Sequence, residues 1–166
     1  MIDNLETRLH HNFRVMRLLD ERLQISDCQI TCELSIAAGT APKEIHRYLN
    51  GMKCWLDNFV NGCIVCHADP DMDITWTRAL DNNIMLSPGN PHDHLMLILL
   101  HAKLTAIGAP VIGVNRTEFM SDTGHGFACA LTGDTDEWLP DVAEWVGQHR
   151  YFELPWWARN DASTMD

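Results

Sequence analysis

The amino-acid sequence predicts a single α+β domain, on three observations. Hydrophobic residues make up 46% of the chain and charged residues 21%, as in ordinary globular proteins. Segments with helical spacing of apolar residues are interspersed with segments in which apolar and polar residues alternate. The 166 residues are enough to bury a core that needs no disulfide or structural metal. We expect residues 1–150 to form this domain and residues 151–166 to form a Trp-containing C-terminal tail.

The first part of the chain predicts a helix, a strand and a helix. Apolar side chains recur every three or four positions and predict an amphipathic first helix over residues 3–24. The spacing then changes to two, which predicts a half-buried strand over residues 28–36. A second helix is predicted from Pro42, because proline suits a first helical turn, and Gly62 ends it.

The middle of the chain predicts short strands around turns. Residues 63–66 and 74–78 are rich in β-forming side chains and flank a turn of Asp and Pro, so they predict a hairpin. Another short strand is predicted over residues 84–86, before a Ser-Pro-Gly break.

The remaining elements are a buried helix, two strands and a final helix. Pro91 follows a capping Asn90 and begins a helix that runs to Gly108, whose centre is apolar all round and should therefore be buried. Residues 111–114 and 126–131 predict strands, and residues 140–149 predict a helix with acidic residues near its beginning.

The order of these elements favours a particular topology. Residues 28–114 run strand, helix, strand, strand, helix, strand, which is the order of the ferredoxin-like split βαβ arrangement. The first helix, residues 3–24, and the C-terminal strand and helix would be additions around that core.

The charge of the chain argues against two classes of partner. Lys and Arg number 12 and Asp and Glu number 23, so the formal net charge is −11. Such a charge repels phosphate backbones and anionic lipid headgroups, and we expect neither nucleic acid nor membrane as a partner. The longest apolar run, residues 95–100, is far shorter than the ~20 residues that cross a bilayer. No export signal precedes the domain, so we expect a cytoplasmic protein whose six cysteines are thiols.

Nine histidines offer candidate metal ligands. His92 and His94 share a face if the segment before the helix is extended, and His125 is a candidate third ligand. His67 or the acidic turn of residues 69–73 are other candidates. These side chains would hold a zinc-like ion with an open position for water, and the reaction would be metal-assisted hydrolysis. The preferred interpretation, in the absence of a matched motif, is that the histidines at the helix start are exposed and that His101 is hydrogen-bonded at the core edge.

Three shorter motifs resemble functional signatures only in part. Residues 63–67 match the spacing of a haem-attachment site, but residues three apart in a strand point to opposite faces, which favours buried structural thiols. Asp69, Asp71 and Asp73 open like a calcium loop that lacks its later ligands, which favours a solvated turn. The Asp-Thr-Gly triplet at residues 122–124 is the triplet of aspartic proteases, and a plain turn is the preferred interpretation.

The tail contains an aromatic pair, Trp156 and Trp157, next to a proline. Such a pair is typical of interface cores, and one interpretation is an arm that packs on a second subunit. The preferred interpretation is that both indoles pack on their own domain, because burying them is favourable wherever the surface is found.

No complete catalytic signature occurs, and whether the protein is an enzyme stays open. The default hypothesis is an acidic binding or assembly module that acts on other proteins or on itself as a homo-oligomer. One alternative is the metal-dependent hydrolase at His92 and His94. A third is a small-molecule binding protein with a pocket between the helix of residues 91–107 and the sheet. In any of these cases we expect that the fold itself requires no cofactor.

Overall fold

Six strands and three helices account for the regular structure of the described residues, which are 5–68, 82–149 and 153–165 of a computed structural model. In chain order the elements are β1 (Leu5–Leu19), β2 (Arg22–Ile36), α1 (Pro42–Trp55) with a π-helical turn (Leu56–Val60), β3 (Ile64–His67), β4 (Ile84–Ser87), α2 (Asp93–Gly108), β5 (Ile112–Ser121), β6 (Ala128–Thr132), α3 (Val142–His149) and a 3₁₀ turn (Trp156–Ala158). They form one mixed α+β domain.

The strands form one sheet in the order β4-β3-β1-β2-β5-β6. β1 and β2 are a long antiparallel hairpin at the centre, and β5 and β6 extend the antiparallel part on one side. On the other side β3 runs parallel to β1, and β4 runs parallel to β3. A β-bulge opposite Glu33 and Leu34 inserts Asn115 into β5.

The predicted first helix over residues 3–24 is wrong, because the segment is strand β1, a turn and the start of β2. Alternate side chains face the core, and Phe13, Val15, Arg17 and Leu19 are all buried. Arg17 at an inward position hid the period of two, and the remaining apolar residues happen to recur at helical spacing. Two left-handed residues, with φ of 49° and 61° at positions 20 and 21, close the hairpin.

The ferredoxin-like core over residues 28–114 is not confirmed. The neighbours of β2 in the sheet are β1 and β5, and β1 lies within the segment that was expected to be helical. β3 pairs with β4 in parallel, and the strand predicted over residues 74–78 lies outside the described residues. Strands are confirmed at β3, β4 and β6, and helices at α1, α2 and α3. β5 was predicted to end at residue 114 and extends to Ser121.

The main core lies between one face of the sheet and the helices. α2 is buried on most of its surface, as its apolar sequence predicts, and it packs against β5 and α1. The other face of β1 and β2 carries mostly exposed side chains in alternation with the core residues. None of the helices in the described parts of the chain is long and apolar enough to span a membrane.

The described tail residues, 153–165, pack into the same core. Lys103 of α2 is fully buried and donates hydrogen bonds to the main-chain oxygens of Trp156 (2.8 Å) and Arg159 (2.9 Å) and to the Asp161 carboxylate (3.2 Å). Leu86 of β4 donates its main-chain N–H to a carbonyl further along the tail. The tail is therefore held by a buried charge and by the edge of the sheet.

Candidate functional site

A cleft of about 910 Å³ opens between α2 and the strands β5 and β6. The α2 side of this cleft is built from small side chains at helical spacing, Ala102, Ala106 and Ala109 among them. Because these side chains are short, the helix does not fill the space in front of β5. Leu139 and Trp157 complete the apolar wall. The volume lies within the range of about 300 to 1,000 Å³ that is usual for ligand sites.

His101 lies at the bottom of this cleft and is only 2% exposed. Its Nε2–H donates to the main-chain oxygen of Gly133 (2.8 Å), and its Nδ1 accepts from the hydroxyl of Thr117 (2.8 Å). Burial lowers the pKa of His101, so the imidazole is neutral at neutral pH. Gly133 takes a φ of 97° to aim its carbonyl at this ring, a conformation that favours glycine.

The loop between β6 and α3 forms the acidic side of the cleft. Asp134, Asp136 and Asp141 line it. Asp141 also caps α3, because its carboxylate accepts the main-chain N–H groups of Ala143 (2.8 Å) and Glu144 (3.4 Å). The sequence predicts these acidic residues only near the beginning of a helix, and the fold also places them along a cavity.

A second depression, of about 710 Å³, lies over β1, β2 and β5 around an exposed ion pair. Arg14 Nε donates to Asp27 Oδ1 at 2.6 Å, and this contact lowers the pKa of Asp27 and raises that of Arg14. Both side chains are about 60% exposed, so the pair lies in water. The buried Ser121 at its edge already bonds to Arg17 and Asp93, and the ion pair at its centre is exposed.

A fully hydrogen-bonded buried ion pair joins the sheet to the beginning of α2. Arg17, 1% exposed, donates to Asp93 (2.6 Å), to the hydroxyls of Ser121 (2.8 Å) and Thr123 (2.8 Å), and to Ser26 (3.1 Å). Ser121 in turn donates to the Asp93 carboxylate. Every group in this network is occupied by another, so the arrangement is suited to fixing α2 on the sheet.

The fold brings the predicted metal-ligating histidines to this same end of the molecule. His92 immediately precedes α2 in an extended conformation, His94 lies in its first turn, and their rings stack at a centroid distance of 5.9 Å. His125 is exposed in the turn after β5, next to Gly124, where a Cβ atom would clash with the Asp93 carboxylate. Within the described ranges, no three His, Cys, Asp or Glu side chains converge on one point. The zinc-like site stays a prediction.

The three partial motifs have simple structural settings. Cys63 and Cys66 are buried in different apolar clusters, so the expectation that they face opposite sides of the sheet is confirmed. Burial raises the pKa of Cys66 to about 11 and that of Cys63 further, which keeps both thiols protonated. The triplet at residues 122–124 lies in a turn, as expected, and the acidic turn of residues 69–73 lies outside the described residues.

Trp156 and Trp157 lie in the core of this chain, with exposures of 0% and 3%. Trp156 donates its indole N–H to the main-chain oxygen of Leu86 (2.8 Å), and Trp157 packs on Trp145 of α3 with ring centroids 4.7 Å apart. This placement agrees with the interpretation preferred from the sequence, in which the pair packs on its own domain. A homo-oligomer stays a prediction. The two indoles are buried within this chain and are not exposed to anchor a second subunit.

Sequence reasoning missed two buried cations. Arg17 was assigned to the solvent side of a helix, and nothing in its surroundings along the chain marks it as buried. Lys103 had a signal, because it interrupts the most apolar helix of the sequence, where a charge must find partners. No sequence pattern predicts the walls of the cleft, because they come from segments that are distant along the chain, such as residues 101–109, 132–142 and 157–158.

Comparisons with known proteins identify no family for this chain. No protein-family model matches the sequence, and no curated protein is significantly similar to it. Among solved structures, the chain is similar to the crystal structure of an uncharacterized protein from Wolinella succinogenes. The identity is 10% and the TM-score 0.46, over 79% of this chain and 98% of that chain.

Proposed function

We propose that this protein binds a small molecule in the cleft between α2 and the strands β5 and β6. The observation that carries the proposal is a cavity of about 910 Å³ with apolar walls and the buried His101 at its base. Large apolar cavities with a few fixed polar groups are the usual form of ligand sites. The neutral imidazole also gives the cavity a fixed dipole rather than a charge.

The described cysteines support a reducing location for this binding protein. All six are free, and burial raises the pKa of the most enclosed ones, so they serve as protonated packing groups. We therefore place its function in the cytoplasm.

The test is a fragment screen read by two-dimensional amide NMR on the full chain. Bound fragments should shift the amide resonances of Ala102, Ala106 and Gly133, which line the cleft. The variant Ala106→Leu should weaken binding by filling the cavity, while Ala38→Leu, an exposed alanine before α1, should bind as the wild type does. A chemically diverse set that moves none of the cleft resonances would refute the proposal.

The metal-dependent hydrolase remains the second candidate, because the rings of His92 and His94 lie side by side at 5.9 Å. It predicts stoichiometric metal in protein purified without chelator, as measured by native mass spectrometry. The variant His94→Ala should lose that metal, and in the presence of chelator its unfolding midpoint should equal that of the wild type. A metal-free wild-type protein rules this candidate out.

A further inference from the structure

The cleft between α2 and β5–β6 has charge of one sign only. Asp134, Asp136 and Asp141 line it, and no lysine or arginine does so among the described residues. Asp141 is engaged at the beginning of α3. Asp134 and Asp136 have no hydrogen-bond or ion-pair partner within the described part of the chain. Their charges are therefore available to a ligand.

The opposite wall supplies no counter-charge. His101 is a basic residue of the lining, and both of its ring nitrogens are already hydrogen-bonded within the protein. Its burial favours the neutral ring. Ala102, Ala106 and Trp157 present mainly apolar surface, and Thr105 and Asn115 add neutral polar groups to the lining. A ligand thus meets an apolar wall on one side and unpaired carboxylates on the other.

We propose that the ligand of this cleft is a small organic cation, with an apolar body against α2 and an amine or similar head facing Asp134 and Asp136. The proposal rests on the function proposed above and narrows it to one chemical class. An anionic ligand would face like charges with no cation to offset them, which disfavours it strongly. The net charge of −11 adds a long-range attraction for cations.

The experiment compares three probes of nearly equal shape: phenethylamine, phenethyl alcohol and phenylacetate. Dissociation constants come from NMR titrations followed at the amides of Ala102, Ala106 and Gly133. The amine should bind about fivefold more tightly than the alcohol, since exposed charge pairs contribute modestly, and the carboxylate should bind weakest. Added salt should reduce the advantage of the amine and leave the affinity of the alcohol unchanged.

Variants assign the preference to the two carboxylates. In the double variant Asp134→Asn, Asp136→Asn the amine should lose its advantage over the alcohol, while the alcohol binds as before. The control Asp20→Asn, Glu21→Gln removes the same charge from the β1–β2 turn at the opposite end of the sheet and should retain the preference.

The outcomes separate the two proposals. If no probe moves the cleft resonances, the cation proposal is wrong, while binding in the cleft is decided by the diverse fragment screen described above. If all three probes bind there equally, or if the control double variant loses the amine preference as well, the cleft binds ligands but the cation proposal is wrong. A preference lost only in the Asp134, Asp136 variant supports both.

Discussion

The substitution Asp93→Asn should lower the stability of this protein far more than the substitution Asp27→Asn. Both carboxylates accept from an arginine at 2.6 Å, but the Asp93 contact is buried within a wider hydrogen-bond network, whereas the Asp27 contact is exposed. Arg17 is 1% exposed and Asp93 12%, whereas Arg14 and Asp27 are 63% and 60% exposed. The chain thus contains a matched pair of Arg–Asp contacts, one buried and one in water.

The magnitude follows from the charge that is left behind. In Asp93→Asn the guanidinium of Arg17 stays buried without a counter-charge, and breaking a buried pair in this way costs about 3–5 kcal/mol. That is a large part of a total stability of about 5–15 kcal/mol. For a chain of this size it corresponds to a fall in Tm of roughly 6 to 20 °C. Asp27→Asn should leave the Tm nearly unchanged, because water already solvates both partners.

The assay is urea unfolding followed by tryptophan fluorescence, with calorimetry for Tm. A third variant, Arg17→Met with Asp93→Asn, should be more stable than the sum of its single changes predicts, because it leaves no unpaired buried charge. Equal losses in Asp93→Asn and Asp27→Asn would show that burial does not decide the strength of these contacts. Strict additivity in the double variant would show that the two buried groups are not coupled.

Three further predictions concern single groups of the core. The pKa of His101 is lowered from 6.5 in the fold, so the stability that the neutral ring contributes is full above that pH and is lost as pH falls toward the folded-state pKa. Urea midpoints at several pH values should show this loss in the wild type and a smaller one in His101→Gln, and identical pH profiles would contradict it. Alkylation of the native protein followed by mass spectrometry should modify exposed Cys54 first and spare Cys63, which is buried with a raised pKa; comparable labelling of the two would refute the burial. Trp156→Phe should lower the free energy of unfolding by about 1 kcal/mol or more, through loss of the indole hydrogen bond to β4, whereas Trp138→Phe, at a site 63% exposed, should change it by less than about 0.5 kcal/mol. Equal effects of the two tryptophan changes would contradict the buried position of the first.

Elements that are fixed by neighbouring residues were predicted well, and elements that depend on pairing with distant segments were not. α2 was predicted within about two residues, because its apolar run, its Pro91 and its final glycine are all local signals. The segment of residues 3–24 was misassigned, because its helical spacing is local whereas its strand conformation depends on pairing with β2 along 15 residues. β5 was cut short at residue 114, where the inserted Asn115 interrupts the alternation.

The candidate site shows the same division. The sequence by itself determined the composition of the core, the acidic charge, the thiol state of the cysteines and the helices whose signals are contained within one segment. Only the tertiary structure decided that Arg17 and Lys103 are buried, that Trp156 faces its own core, and that Ala106 and Asp136 line the same cleft. The physical reason is that burial and enclosure are properties of several segments at once, and the free energy that fixes them arises from contacts between residues far apart along the chain.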